Sequence, residues 1–249
     1  MVSGDKEGRS YKFATLTVIG QDTPIVLGIE PVREASAWEG DASQIESHSK
    51  ADIVRRLLEQ ATQHVEIHKL FADREFDAME VRDVIDRRDI TYLIPRPVYA
   101  AEIEQIEQIE AHPLADVAVE RVSLSVDGRS HELSFMYVPS TEEDGKYAVF
   151  TTNRDVTPDQ AMGLTTQYSQ RWQIESEYKT IKHHFLPTAA STDYRVRLLY
   201  FTLGVVMYNV WRLTNLLLRE ALSENLGAKP PLRAGEVVEL VGFCLVPPD

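Results

Sequence analysis

"YSQRWQIESEYKTIKHHF", residues 168–185, sets Tyr168, Arg171, Glu175 and Lys182 at intervals of three, four and seven. At about 100° per residue in an α-helix, these four side chains fall within an arc of roughly 60°. Ile174, Tyr178, Ile181 and Phe185 fall on the neighbouring arc and form an apolar stripe. The pattern predicts one long helix from Thr157, its cap, and Pro158, its first residue, through Phe185. It also predicts a Glu175 carboxylate at the rim of the core, partly desolvated and held by packing. The plainer alternative is a solvated charged face with ordinary ion pairs four residues apart.

Working outward, strands and helices alternate. "SYKFATLTVIG" and "TPIVLGIEPV" read as a hairpin about Gln21 and Asp22. "SKADIVRRLLEQATQHV" is a helix capped by Ser49, with Ile53, Leu57, Leu58 and Ala61 inward. "EIHKLFAD" is a short strand ending at Asp73. The next helix should start with a capping box of Asp77 and Glu80, so that Asp73 is not needed as its cap. "ITYLIPRP" is a strand stopped by prolines, and "AAEIEQIEQIEAH" a surface helix with solvent-facing glutamates. A hairpin about Asp127-Gly128 and the strand "KYAVFTTN" precede the helix of residues 168–185. An apolar helix and a proline-rich tail close the chain. The run "LLYFTLGVVMYNVWRLTNLLL", residues 198–218, is interrupted by Asn209, Arg212 and Asn215 and reads as a buried helix, not a membrane span. The sum is an α/β fold, a mixed sheet covered by helices.

The chain has 249 residues and a net charge of -13. Of its 26 cations, 18 are Arg and 8 Lys, a balance suited to high salt or to an ordinary acidic surface. That sign taken alone argues against nucleic acid. The charge is uneven, however: residues 171–219 hold seven cations against three acids. An anion-facing region in an otherwise repulsive molecule follows. The single Cys244 permits no internal disulfide, and no apolar leader follows the polar N-terminus, so the expected compartment is the cytoplasm.

Two carboxylates, Asp73 at a strand end and Glu175 on a helix, are how a sheet edge can hold a divalent metal. Tyr168-x2-Arg171-x3-Glu175-x6-Lys182 resembles the Y-R-E-K signature of the insertion-sequence-4 group of DDE transposases. "ADREF" resembles the region of that family's second catalytic Asp, with Glu75 where a Gly is common. The resemblance covers most of the chain. It implies an RNase H-like mixed sheet flanked by helices, with a small β-rich insertion before the helix of the catalytic glutamate. It implies metal-dependent DNA cleavage and strand transfer at transposon ends. By position, Asp73 and Glu175 would be catalytic ligands of Mg²⁺ (or Mn²⁺). Tyr168, Arg171 and Lys182 would bind DNA, Arg171 as a fork and Lys182 as a point charge. The partners implied are transposon-end and target DNA and a possible homo-oligomer, with no membrane.

The expected organisation is residues 1–98 as the first part of the RNase H-like domain, 99–150 as insertion and β-meander, 151–224 as the part bearing the glutamate helix, and 225–249 as a tail. The family's first Asp and its strand have no clear counterpart. Asp5 and Asp22 are the nearest candidates, and both read as loop residues. The expectation is therefore an N-terminally truncated transposase, unable to cut or join DNA alone. The alternatives are an inactive DNA- or transposase-binding remnant, another RNase H-like metal nuclease, or a structural protein whose stripe is only a salt-bridge network.

Overall fold

The structure is a computed structural model that describes residues 12–19, 24–32, 49–111, 116–126, 128–141, 146–188, 191, 193–222 and 230–245. Asp5, Gln21, Asp22 and Asp127 lie outside the described residues. The chain forms two compact units: Met1–Ser47 with Arg171–Asp249, and His48–Gln170.

The His48–Gln170 unit is a helix-flanked mixed sheet, the fold class that the sequence predicts. Its strands β3 (Lys69–Phe71), β4 (Thr91–Arg96), β5 (Ala118–Val126), β6 (Arg129–Pro139) and β7 (Tyr147–Thr152) lie in the order β3-β4-β7-β6-β5. β3 and β4 are parallel and the other pairs antiparallel. The parallel pair needs a crossover. It consists of a 3₁₀ turn, Arg74–Phe76, and helix α2, Met79–Asp86. The β-meander extends the same sheet, since β7 pairs with β4. Gly128, at φ 76°, turns β5 into β6, with Val126 opposite Arg129. Helix α1 (Lys50–Ala61) starts as expected: Ser49 accepts from the Asp52 amide, and Ile53, Leu57, Leu58 and Ala61 are buried. Helix α4 (Pro158–Ser169) buries Ala161 against Leu93, Met136, Val138 and Phe150.

Two polar expectations are corrected here. The N-cap of α2 is Ala78, not Asp77. Asp77 is instead buried in an ion pair with Arg82 and lies 3.5 Å from Arg96. A buried guanidinium needs a carboxylate more than a helix end does, because water can serve the helix end. In helix α3 (Ala100–Glu110) not every glutamate faces solvent. Glu102 is buried, accepting from Arg96 Nε at 2.7 Å and from the Tyr99 amide at 3.0 Å.

The other unit places the antiparallel hairpin β1 (Lys12–Val18) and β2 (Ile25–Val32) with helices α5 (Trp172–Thr180), α6 (Tyr194–Leu222) and α7 (Ala234–Leu245). Its core gathers Val26, Ile181, Phe185, Phe201, Val205, Tyr208, Trp211, Ala234 and Val237. Two of the three polar residues that interrupt the apolar run, Asn209 and Asn215, act as backbone clamps. Asn209 accepts from the Val26 amide at 3.0 Å and donates to the Val26 carbonyl at 2.8 Å. Asn215 does the same to Leu232, at 2.8 and 3.1 Å. Gly204 allows α6 to approach the chain closely, since a Cβ there would stand 3.3 Å from the Phe185 carbonyl oxygen.

Two further expectations change. Residues 225–249, expected as a tail, include the helix α7. The helix α6 is buried on one face only, with a row of apolar side chains exposed on the other. Among the described residues no helix is long and apolar enough to cross a membrane.

Candidate active-site residues and the family of the chain

The long helix predicted over residues 157–185 is three successive segments. α4 begins as predicted, with Pro158 first and the Gln160 side chain accepting from the Thr157 amide at 3.1 Å. It ends at Ser169. Gln170 and Arg171 keep helical dihedrals, but the Gln170 amide bonds to Gln167 and the Ile174 amide to Arg171, three residues back. After α5, residues Ile181–Phe185 widen into a π turn, closed by the Leu186 amide on the Ile181 carbonyl at 2.8 Å. The tightening and the widening both shift side chains away from a uniform 100° spacing.

Tyr168 ends α4 within the sheet-bearing unit. Its ring meets Phe71 and Phe150 edge-on at 5.9 and 5.2 Å, and its hydroxyl donates to the Ala72 carbonyl at 3.2 Å. Lys69 on β3 donates to Gln167 at 2.7 Å. α4 is thus fastened to the strand end that leads into Asp73. Asp73 follows β3 by two residues, at the start of the 3₁₀ turn, partly exposed, and its carboxylate does not cap that turn. Its backbone carbonyl accepts from the Phe76 amide at 2.9 Å.

Arg171, Glu175 and Lys182 belong to the other unit. The structure brings the first two together: Arg171 donates to Glu175 at 3.2 Å. The Glu175 side chain is 56% exposed and that of Arg171 22%. The expected desolvated Glu175 at the rim of the core is therefore corrected to a solvent-accessible carboxylate. Lys182 is exposed on the π turn, beside the exposed His183 and His184. Ile181 and Phe185 are buried as the apolar stripe requires, with Tyr178 packed beside them.

The desolvated carboxylate of this helix is Glu177, 1% exposed. β1 delivers Thr15 and Thr17 to the same face of the hairpin. The Thr15 and Tyr178 hydroxyls are 2.9 Å apart, and the Thr17 hydroxyl donates to Glu177 Oε1 at 3.2 Å. Glu177 Oε2 is buried with no hydrogen-bond partner among the described residues. Burial pushes this carboxyl up to about 8, against the opposing pull of the Thr17 hydroxyl and the Arg212 charge. The sequence carried only a weak signal for it: on a regular helix Glu177 falls about 40° beyond Ile181, just outside the apolar arc on the side away from Glu175.

Asp73 and Glu175 are carboxylates, oxygen donors of the hard kind that divalent cations such as Mg²⁺ take. Among the described residues no group of three or more His, Cys, Asp or Glu stands in a metal-holding arrangement. Lys182 is exposed, and Arg171 is partly exposed with Glu175 among its partners.

A search of curated proteins finds no match to the chain. The family model described as the transposase DDE domain matches residues 46–209, a span that includes Asp73, Tyr168, Arg171, Glu175 and Lys182. Family members generally use divalent metal ions and act on DNA. The match covers well over half of the chain, and the chain belongs to the DDE transposase family.

Proposed function

We propose that this chain is the catalytic part of an insertion-sequence-4-like transposase, and that its ancestral chemistry is cleavage and strand transfer at the ends of an insertion sequence. The observation that carries the reading is the family match over the whole span from Asp73 to Lys182. The exposure of Glu175 supports it, because a carboxylate that is to hold an ion beside DNA must reach solvent.

In this reading Asp73 and Glu175 hold Mg²⁺, or Mn²⁺ in its place, through their carboxylate oxygens. The bound ions supply charge stabilisation to the attacking and leaving oxygens of a phosphodiester. Arg171 leaves or shares its bond to Glu175 to fork a phosphate, and Lys182 adds a point charge. Tyr168 contributes by holding Ala72, and through it the backbone that presents Asp73, within the tolerance that phosphoryl transfer requires. It also offers DNA an aromatic edge. The acidic remainder of the chain would repel DNA elsewhere and confine it to the cationic segment of residues 171–219.

The test is Mn²⁺ binding by the chain, measured by calorimetry. Asp73→Asn and Glu175→Gln should each weaken Mn²⁺ binding by about tenfold or more. Folding should hardly change, since an exposed i,i+4 pair contributes only a few tenths of a kcal/mol. Unaltered Mn²⁺ binding in the double variant would remove the proposed ligand pair.

A further inference from the structure

Asp73 begins a tight, continuously bonded stretch of backbone. The Phe76 amide bonds to the Asp73 carbonyl at 2.9 Å, the Asp77 amide to the Arg74 carbonyl at 3.1 Å and the Ala78 amide to the Phe76 carbonyl at 2.8 Å. The near end is tied to the sheet: the Ala72 amide donates to the Leu93 carbonyl of β4 at 3.2 Å, and the Ala72 carbonyl accepts from Tyr168. The anchor at the far end is the Asp77 side chain, 2% exposed. It accepts from Arg82 of α2 and lies 3.5 Å from Arg96 of β4. Arg82, itself 1% exposed, reaches the middle of the sheet. The nitrogen that meets Asp77 also donates to the Thr151 hydroxyl of β7 at 3.1 Å, and that hydroxyl donates to the Ile94 carbonyl of β4 at 3.2 Å. The turn that presents Asp73 is thus clamped at both ends onto β4.

Stability is a poor account of the far clamp. Two charges taken out of water are repaid only where their remaining protons and lone pairs find partners. Arg82 Nε is buried with no hydrogen-bond partner among the described residues. An apolar pair of similar volume would serve the core as well or better. What an apolar pair lacks is direction, because charge-assisted hydrogen bonds fix an angle as well as a distance. A carboxylate that must meet a small divalent cation at about 2.0–2.1 Å needs that control. Asp73 is partly exposed and its carboxylate does not cap its own turn, so the backbone that carries it sets where it can reach.

We propose that Asp77 and Arg82 are positioning residues for Asp73: their buried ion pair holds the 3₁₀ turn where the Asp73 carboxylate can meet a divalent cation. The inference rests on the reading of Asp73 as a metal ligand and adds the groups that aim it.

The experiment is Mn²⁺ binding to the full chain by calorimetry, paired with urea denaturation of the same samples. D77V/R82M replaces the ion pair by apolar side chains. This double variant should unfold at the wild-type urea concentration or above it, yet bind Mn²⁺ about tenfold or more weakly. A structural role alone predicts the reverse, a lowered midpoint with unaltered Mn²⁺ affinity, and that result would overturn the proposal. Arg82→Lys covers the case in which the double variant does not fold. It keeps the charge and loses the fork, and it should weaken Mn²⁺ binding several-fold. Unaltered affinity in this folded variant would overturn the proposal as well. Asp73→Asn separates the two readings. If it weakens Mn²⁺ binding and D77V/R82M does not, the positioning role alone falls. If it leaves Mn²⁺ binding unaltered, Asp73 is no ligand and both readings fall.

Discussion

Replacing Glu177 with Gln should change how stability depends on pH. Glu177 is sealed by Thr17 from β1 and lies near Tyr208 and Arg212 of α6, and burial pushes its carboxyl from 4.5 up to about 8. The unfolded chain ionises this group near its ordinary value. A raised folded value means that the contribution is fully present below the unfolded pKa, near 4.5. It is lost progressively as pH rises from there to about 8. Each pH unit in that window costs up to about 1.4 kcal/mol, so the loss from this group amounts to a few kcal/mol. Glu177→Gln keeps the acceptor for Thr17 and removes the titration. Its amide nitrogen takes the place of the unbonded Oε2, at a pH-independent cost of about 1–3 kcal/mol. Urea denaturation from pH 5 to pH 9 should show wild-type stability falling relative to the variant, which is the less stable at pH 5 and the more stable at pH 9. Parallel pH profiles for the two proteins would refute the reasoning, because they would mean that Glu177 is charged and solvated in the folded state.

Other outcomes follow from the same contacts. Asp77→Ala should destabilise the sheet-bearing unit by about 3–5 kcal/mol, seen as a lowered denaturation midpoint, because it leaves Arg82 buried without its carboxylate. Asn209→Ala removes both bonds to Val26 and should cost about 1–3 kcal/mol in the same measurement, with faster hydrogen exchange at the Val26 amide.

The sequence by itself determined the order of elements. Alternation with Gly128 at a turn marks β5 and β6, and Ser49 before a 3.6-residue apolar period marks α1. These are local effects, in which a turn residue, a cap or a periodic face acts within a few residues. The resemblance carried by Tyr168, Arg171, Glu175 and Lys182 pointed to an insertion-sequence-4-like DDE transposase, and the match over residues 46–209 supports the DDE transposase family. What tertiary structure decided is which polar groups lose their water. Asp77 caps nothing because Arg82 and Arg96 converge on it from α2 and β4. Glu102 leaves the solvent because Arg96 reaches it. Glu177, not Glu175, is desolvated because β1, distant in sequence, covers it. Helical periodicity assigns a side chain to an arc but not to what lies opposite that arc. The same limit applies to α6, where composition alone suggested burial all round. Only the packing shows that one face meets the core while apolar side chains on the other are left exposed.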